Sequence, residues 1–307
     1  MLKVESIKPW SGFSTGEFHI DYLGVMTNPR FWKGVTPSRA GRLRVSPPVL
    51  SESYFEYAAC IMAASLATGP FQALEIGAGW GVWSVRAAAV ARHLGLPVRT
   101  TAIEMMPEQC AQIARHFMTN GLDPRCHAVI PAAVGESSGS GWVRAAAGTD
   151  PGARLVQTDW AMRNAVVPFG GIPFGIPVPC RDGTQVMRVR TRRLKELVSP
   201  TSFLDFVHLR VGPNPQSLLS DPVLAAENVG LLVIPGIAKT DLIPLQKAMA
   251  STSYTKVCGL EHGQVLKGTR GEVIVQNALH IYAGRHVPAD RLEEMADHFG
   301  GLAASAA

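Results

Sequence analysis

The sequence predicts a doubly wound α/β fold, and three observations carry that expectation. The apolar run Ala73-Leu74-Glu75-Ile76 breaks into Gly77-Ala78-Gly79-Trp80-Gly81, with glycines at three alternate positions. A helical pattern opens at once, from Val82 to Leu94. A second apolar run, Val98 to Ile103, then ends in the carboxylate of Glu104. Strand, glycine turn, helix, strand and terminal acid make the first half of a nucleotide-binding α/β unit. The glycines allow a tight turn and let backbone N–H groups approach a ligand closely. A carboxylate at the second strand end accepts hydrogen bonds from both ribose hydroxyls. The unit points to an adenosine-type ligand.

The remaining elements follow in chain order. Residues 1–46 are polar, basic and punctuated by Gly and Pro, with a short strand-like run from Phe18 to Tyr22. They read as an N-terminal extension before a domain over 47–299. Leu50 to Ala67 is helical in pattern, with Ser51 as N-cap and Tyr54, Ala58, Ile61 and Met62 on one side. Core strands are expected at Gln72–Ile76, Val98–Ile103, Cys126–Ile130, Phe203–Val211, Gly230–Ile234, Tyr254–Gly259 and Val273–Ala283. Pro107 suits a first helical turn, and Glu108 to Asn120 is amphipathic and stopped by Gly121. Leu194 to Val198 reads as a short helix. The regular alternation stops over 136–190, where Pro and Gly recur, most densely from Pro168 to Pro179. That insertion is expected to be an ordered cover, or lid, over the substrate mouth, with Asp159 and Trp160 just before its densest part. The small-residue tail, 300–307, is expected to fray.

The glycine spacing discriminates between ligands. The dinucleotide fingerprint is G-x-G-x-x-G. This chain has G-x-G-x-G, with Glu75 two residues before the first glycine. A pyrophosphate needs an open helix N-terminus, whereas a sulfonium amino acid carries no phosphate. Nicotinamide or flavin binding, and an ordinary tight turn without a ligand, are the alternatives. The pattern E-x-G-x-G-x-G resembles motif I of class I S-adenosylmethionine-dependent methyltransferases. With Asn120-Gly121-Leu122 and Ala132-Ala133-Val134-Gly135, it resembles the FkbM-type members in particular, over roughly Ser51 to Arg285. Asp21 to Val25 and Tyr54 to Tyr57 also look like that family.

The resemblance implies a seven-stranded Rossmann-like sheet of order 3-2-1-4-5-7-6, ending in an antiparallel strand pair. It implies S-adenosylmethionine as cofactor, held by Glu75, Gly77, Ala78, Gly79, Gly81, Glu104, Met105 and Ala133. It implies methyl transfer to an oxygen of a sugar, glycan precursor or secondary metabolite. N-methylation of an amide or amine of a peptide or natural product is the enzyme alternative. A cofactor-binding scaffold with weak catalysis is the non-enzyme alternative. One departure stands out at Phe203 to Gly212. Where the family carries acids, this chain places Arg210, Gly212 and Pro215. A hard cation wants oxygen ligands, so Arg210 argues against a metal. The candidate catalytic residues are His208, as base, and Arg210, to orient an electronegative acceptor. His262 is a weaker second base.

Composition bounds the partners. The 307 residues suffice for a large core. No apolar run has the length of a membrane span, and the first residues lack the basic-then-apolar pattern of a signal peptide, so none is expected. The five cysteines are scattered, which suits reduced thiols in a cytoplasm and no zinc site. The net charge of +5 is gathered in two clusters. One holds Arg30, Lys33, Arg39, Arg42 and Arg44; the other holds Arg181, Arg188, Arg190, Arg192, Arg193 and Lys195 against Asp182 alone. These read as solvated surface or as a site for an anionic acceptor such as a sugar nucleotide. No nucleic-acid module is visible and aromatics are only 7%, so nucleic acid is not an expected partner.

Overall fold

Seven apolar runs form one sheet in the computed structural model, which describes residues 3–32, 35–123, 125–145, 154–156, 174–210, 215–268 and 271–304. Lys33, Asp159, Trp160, Gly212 and residues 168–173 lie outside the described residues. The strands are β1 (Phe71–Ile76), β2 (Val98–Glu104), β3 (His127–Pro131), β4 (Leu204–Leu209), β5 (Val229–Ile237), β6 (Thr255–Leu260) and β7 (Ala278–Ala283). Their order is 3-2-1-4-5-7-6. β1 to β5 run parallel, and β7 is antiparallel to both neighbours. This is the Rossmann-like methyltransferase sheet. Parallel strands are covered on both faces, so they need continuous rather than alternating apolar character. Every residue of β4 and β7 is buried.

Helices cover both faces: α1 (Glu52–Leu66), α2 (Val82–His93), α3 (Pro107–Thr119), α4 (Lys239–Ala250) and α5 (Ala289–Ala304). On one side, Phe55, Ile61, Val85, Ile113 and Phe299 pack with Phe206 and Val233 of the sheet. On the other, Leu245 and Ala248 pack with Leu74, Val207 and Leu232. Helix α1 is buried on every side from Tyr54 to Ala64, Glu56 included.

Three local expectations are corrected. The run Val273–Ala283 is two strands: Gly271–Ile274 pairs with Val265–Gly268 in a hairpin, and only Ala278–Ala283 joins the sheet. Both pieces are apolar enough to read as one, and the break falls where Gln276 N–H turns to the Glu52 carboxylate at 2.7 Å. The described part of the insertion is built of strands. Gly139–Ala145, Arg154–Val156, Pro177–Pro179 and Gln185–Arg192 form a second sheet, which Ala133–Val134 joins beside Thr191 and Arg192. Proline is confined to its short Pro177–Pro179 strand at the sheet edge, where a missing N–H is tolerated. Ser51 stands at the N-cap of α1, yet its hydroxyl donates to Val49 O instead of capping. Finally, α5 carries helix through Gly300 and Gly301 to Ala304 where fraying was expected.

The N-terminal extension is built into the same core. Ser11–Ser14 pairs with Gly41–Arg44, and Tyr22, Leu23 and Val25 are buried against the main cluster. Met26 exchanges two backbone hydrogen bonds with the Asn120 amide, both at 2.9 Å.

Candidate cofactor site

The site begins at the carboxyl ends of β1, β2 and β4, the three neighbours at the middle of the sheet. Gly77, Gly79 and Gly81 all adopt positive φ, at 70°, 59° and 75°, a region closed to most side chains. Each answers a different demand. A Cβ on Gly77 would lie 3.1 Å from Arg210 Cβ, and one on Gly81 3.0 Å from Ile113 of α3. A Cβ on Gly79 would meet nothing within 4 Å among the described residues, so this glycine faces the open side.

The turn's own hydrogen bonds show what it is able to hold. The N–H groups of Gly77 and Ala78 donate to Ile103 O, and that of Gly81 to Ala78 O. Gly79 N–H donates to Glu104 Oε2 at 2.8 Å. Glu75 lies beneath, 3% exposed, and takes the N–H of Trp83 at 3.2 Å, the N–H of Ser84 at 2.8 Å and the Ser84 hydroxyl at 2.7 Å. A carboxylate of the chain itself thus closes the N-terminus of α2, where a phosphate would otherwise dock. A pyrophosphate would find these donors occupied and a negative charge in its place. Through these bonds Glu75 shapes the turn.

Glu104 links the turn to the next strand. Its Oε1 accepts Met106 N–H at 2.9 Å while Oε2 holds Gly79. Burial pushes its carboxyl above the usual carboxylate range, against the N–H groups of Met106 and Gly79 and the Arg210 guanidinium, which pull it down. Met105 and Met106 pack beneath Ala133, Val143, Met187 and Val189, so one face of the second sheet rests on the residues that follow Glu104. Gly175 of the insertion sits against Pro107 at the start of α3, with a Cβ there placed 3.1 Å from Pro107 Cγ. Ala78 is buried within the turn.

Arg210 lies just past β4, exposed and beside Gly77. His208 does not lie with it, and the reading of His208 as a base for an acceptor is corrected. Its ring is 2% exposed, stacks on Trp83 at 5.4 Å and places Nε2 2.8 Å from Glu56 Oε1. Nδ1 is buried with no partner among the described residues. The strand ends one residue beyond His208, at Leu209, so α1 and α2 still cover His208 while Arg210 emerges. His262 lies elsewhere, on Gln276 O and beside a cavity of about 260 Å³ with Ile237, Lys239 and Leu242. A cavity of about 410 Å³ lies between the N-terminal extension, α2 and the end of α3.

Glu56 escaped the sequence reading. Its signal was present: a carboxylate inside the otherwise apolar stretch of α1 must find a partner when buried. The partner is 152 positions away and nothing in the pattern names it. In the second basic cluster Arg192 is neutralised by Glu196 at 3.0 Å, while the cluster's one acid, Asp182, pairs with Arg144 from outside it at 2.9 Å. Arg188 and Arg190 instead lie over the exposed Phe174 ring, at 4.4 and 5.8 Å from its centroid. Among the described residues no three His, Cys, Asp or Glu side chains gather as a metal site, and no helix is long and apolar enough to cross a membrane.

No family model and no curated protein matches the chain. Solved structures with some likeness include a precorrin-6y C5,15-methyltransferase from Geobacter metallireducens, 12% identical over 76% of this chain and 89% of that one, TM-score 0.40. Another is a ribosomal protein L11 methylase from Lactobacillus delbrueckii subsp. bulgaricus, 11% identical over 88% and 100%, TM-score 0.40. A third is an rRNA methylase from Streptococcus thermophilus, 9% identical over 76% and 96%, TM-score 0.41. The fold assignment stands on strand order and register, not on these scores.

Proposed function

We propose that the protein transfers the methyl group of S-adenosylmethionine to an oxygen of a sugar, glycan precursor or secondary metabolite. The observation that carries this is the closed α2 N-terminus. Glu75 occupies the place of a phosphate, while Glu104 and the open side of Gly79 stand ready for a nucleoside. The residues fit a cofactor that has a ribose and no phosphate. Each Glu104 oxygen keeps a second lone-pair site for a ribose hydroxyl, and Met105 flanks it. The cofactor supplies an activated methyl group on a sulfonium. The chain's part is to bind, to orient and to keep water out at the strand ends. With His208 enclosed, positioning of the acceptor is the main catalytic contribution. N-methylation of an amide or amine stays as the rival, since the fold does not choose the acceptor.

Calorimetry with S-adenosylhomocysteine tests the reading. Gly79→Val places bulk on the ligand side and should abolish measurable binding. Glu104→Ala removes charge-assisted contacts worth about 1.5–3 kcal/mol each, so affinity should drop about 10- to 100-fold. Wild-type affinity in a folded Gly79→Val variant, or tighter binding of NAD than of S-adenosylhomocysteine, would sink the proposal.

A further inference from the structure

The Arg210 guanidinium has no ion-pair partner among the described residues. Its side chain is exposed. Its backbone is nevertheless fixed. Arg210 N–H donates to Ile76 O at 3.1 Å, which extends the β1–β4 pairing one step beyond Leu209 and Ile76. The side chain is thereby held against the first glycine of the turn, with Arg210 Cβ and Cγ at 3.1 and 3.9 Å from where a Gly77 Cβ would stand. A larger residue at position 77 would push the guanidinium away.

The neighbours of β1 therefore carry opposite charges to either side of the glycine turn: Glu104 on β2 and Arg210 on β4. Two strand spacings separate them, about 10 Å. A ligand that gives its ribose to Glu104 and passes over the open side of Gly79 brings its other end to Arg210. In S-adenosylmethionine that other end is an α-amino acid, whose carboxylate is the only anionic group of the molecule. A guanidinium offers a planar fork of donors that matches a carboxylate.

We infer that Arg210 anchors the α-carboxylate of the cofactor and makes the site selective for aminoacyl nucleosides over nucleosides without that group. The inference rests on the methyltransferase reading above. It moves Arg210 from the acceptor to the cofactor, and it gives a use to a cation that stands where the resembled family has an acid.

The test is calorimetry of S-adenosylhomocysteine and of 5′-methylthioadenosine, which lacks the amino acid, on wild type, Arg210→Gln and Arg210→Lys. Wild type should prefer S-adenosylhomocysteine. Arg210→Gln should weaken S-adenosylhomocysteine about 10- to 100-fold, the effect of losing a charge-assisted pair, and leave 5′-methylthioadenosine unchanged. Arg210→Lys keeps the charge without the fork and should fall between. An unchanged affinity for S-adenosylhomocysteine in Arg210→Gln overturns the inference and returns Arg210 to the acceptor. Equal losses for both ligands overturn it too, by placing Arg210 at the nucleoside end. A wild type that binds both ligands equally refutes the inference alone, whereas one that binds neither refutes the methyltransferase reading with it.

Discussion

Single residues show how much a pattern is able to say. The three glycines and Glu104 are legible because a turn at positive φ and a strand-end acid have few substitutes. His208 is not, because periodicity places it on a face without saying how far the covering helices reach. His116 makes the same point with a measurable consequence. It is 1% exposed, with Nδ1 3.0 Å from Trp80 O and Nε2 3.3 Å from the Thr27 hydroxyl. The carbonyl takes the Nδ1 proton, so Nε2 accepts from Thr27. Burial is the largest cause that lowers its pKa from 6.5 to about 4. The unfolded chain then binds a proton below about pH 6.5 that the folded chain refuses until about pH 4. Stability should fall as pH drops through that window, by about 1.4 kcal/mol per pH unit, and level off below it. Denaturant titrations of wild type and His116→Gln from pH 7.5 to 4 isolate the effect. The gap between the two proteins should shrink on acidification, and a constant gap would disprove it.

Elements were legible where a long apolar period repeats, and less so where short segments are ordered by distant partners. The N-terminal extension is the clearest case. Its composition resembles a surface segment, yet Asp21 accepts the Tyr57 hydroxyl at 2.7 Å and Arg86 Nε at 3.1 Å. Arg86 lies within 4.6 Å of the Tyr57 ring centroid and 4.9 Å of the Trp83 ring. A half-buried guanidinium held between two rings depends on its hydrogen-bonded carboxylate partner, Asp21. Asp21→Asn removes that hydrogen-bonded charge partner and should cost about 3 kcal/mol in chemical denaturation. A loss below about 0.5 kcal/mol, the range of ordinary surface changes, would show that the segment is an appendage. The strands of the insertion were hidden for the opposite reason. Its Pro and Gly content is real, but the strands at Gly139–Ala145 and Gln185–Arg192 pair over seven residues with each other and need no central position.

At the scale of the molecule, two sheets meet beside Glu104. The second sheet touches the first through Met105 and Met106, with Val143, Met187 and Val189 on its side. A small apolar contact between units with separate hydrogen-bond ladders should open by itself. Val189→Asp places a charge in that contact. Hydrogen exchange should then lose protection over 139–145 and 185–192, while β1, β2, β4 and β5 keep theirs and the main melting transition stays in place. Uniform loss of protection across both sheets would show instead that they fold as one unit.

The sequence by itself determined the central sheet's strands to within a few residues, the glycine turn, and, through resemblance, the strand order. These follow from local causes: continuous apolar runs buried on two faces, a backbone that only glycine permits, and caps at helix ends. Only the tertiary structure decided that Glu75 closes α2, that His208 is sealed against Glu56, and that Arg210 stands against Gly77. Each of these pairs residues from different strands or helices. Whether a polar side chain meets a buried partner or open solvent depends on the layer that covers it, and no period in the chain encodes that distance.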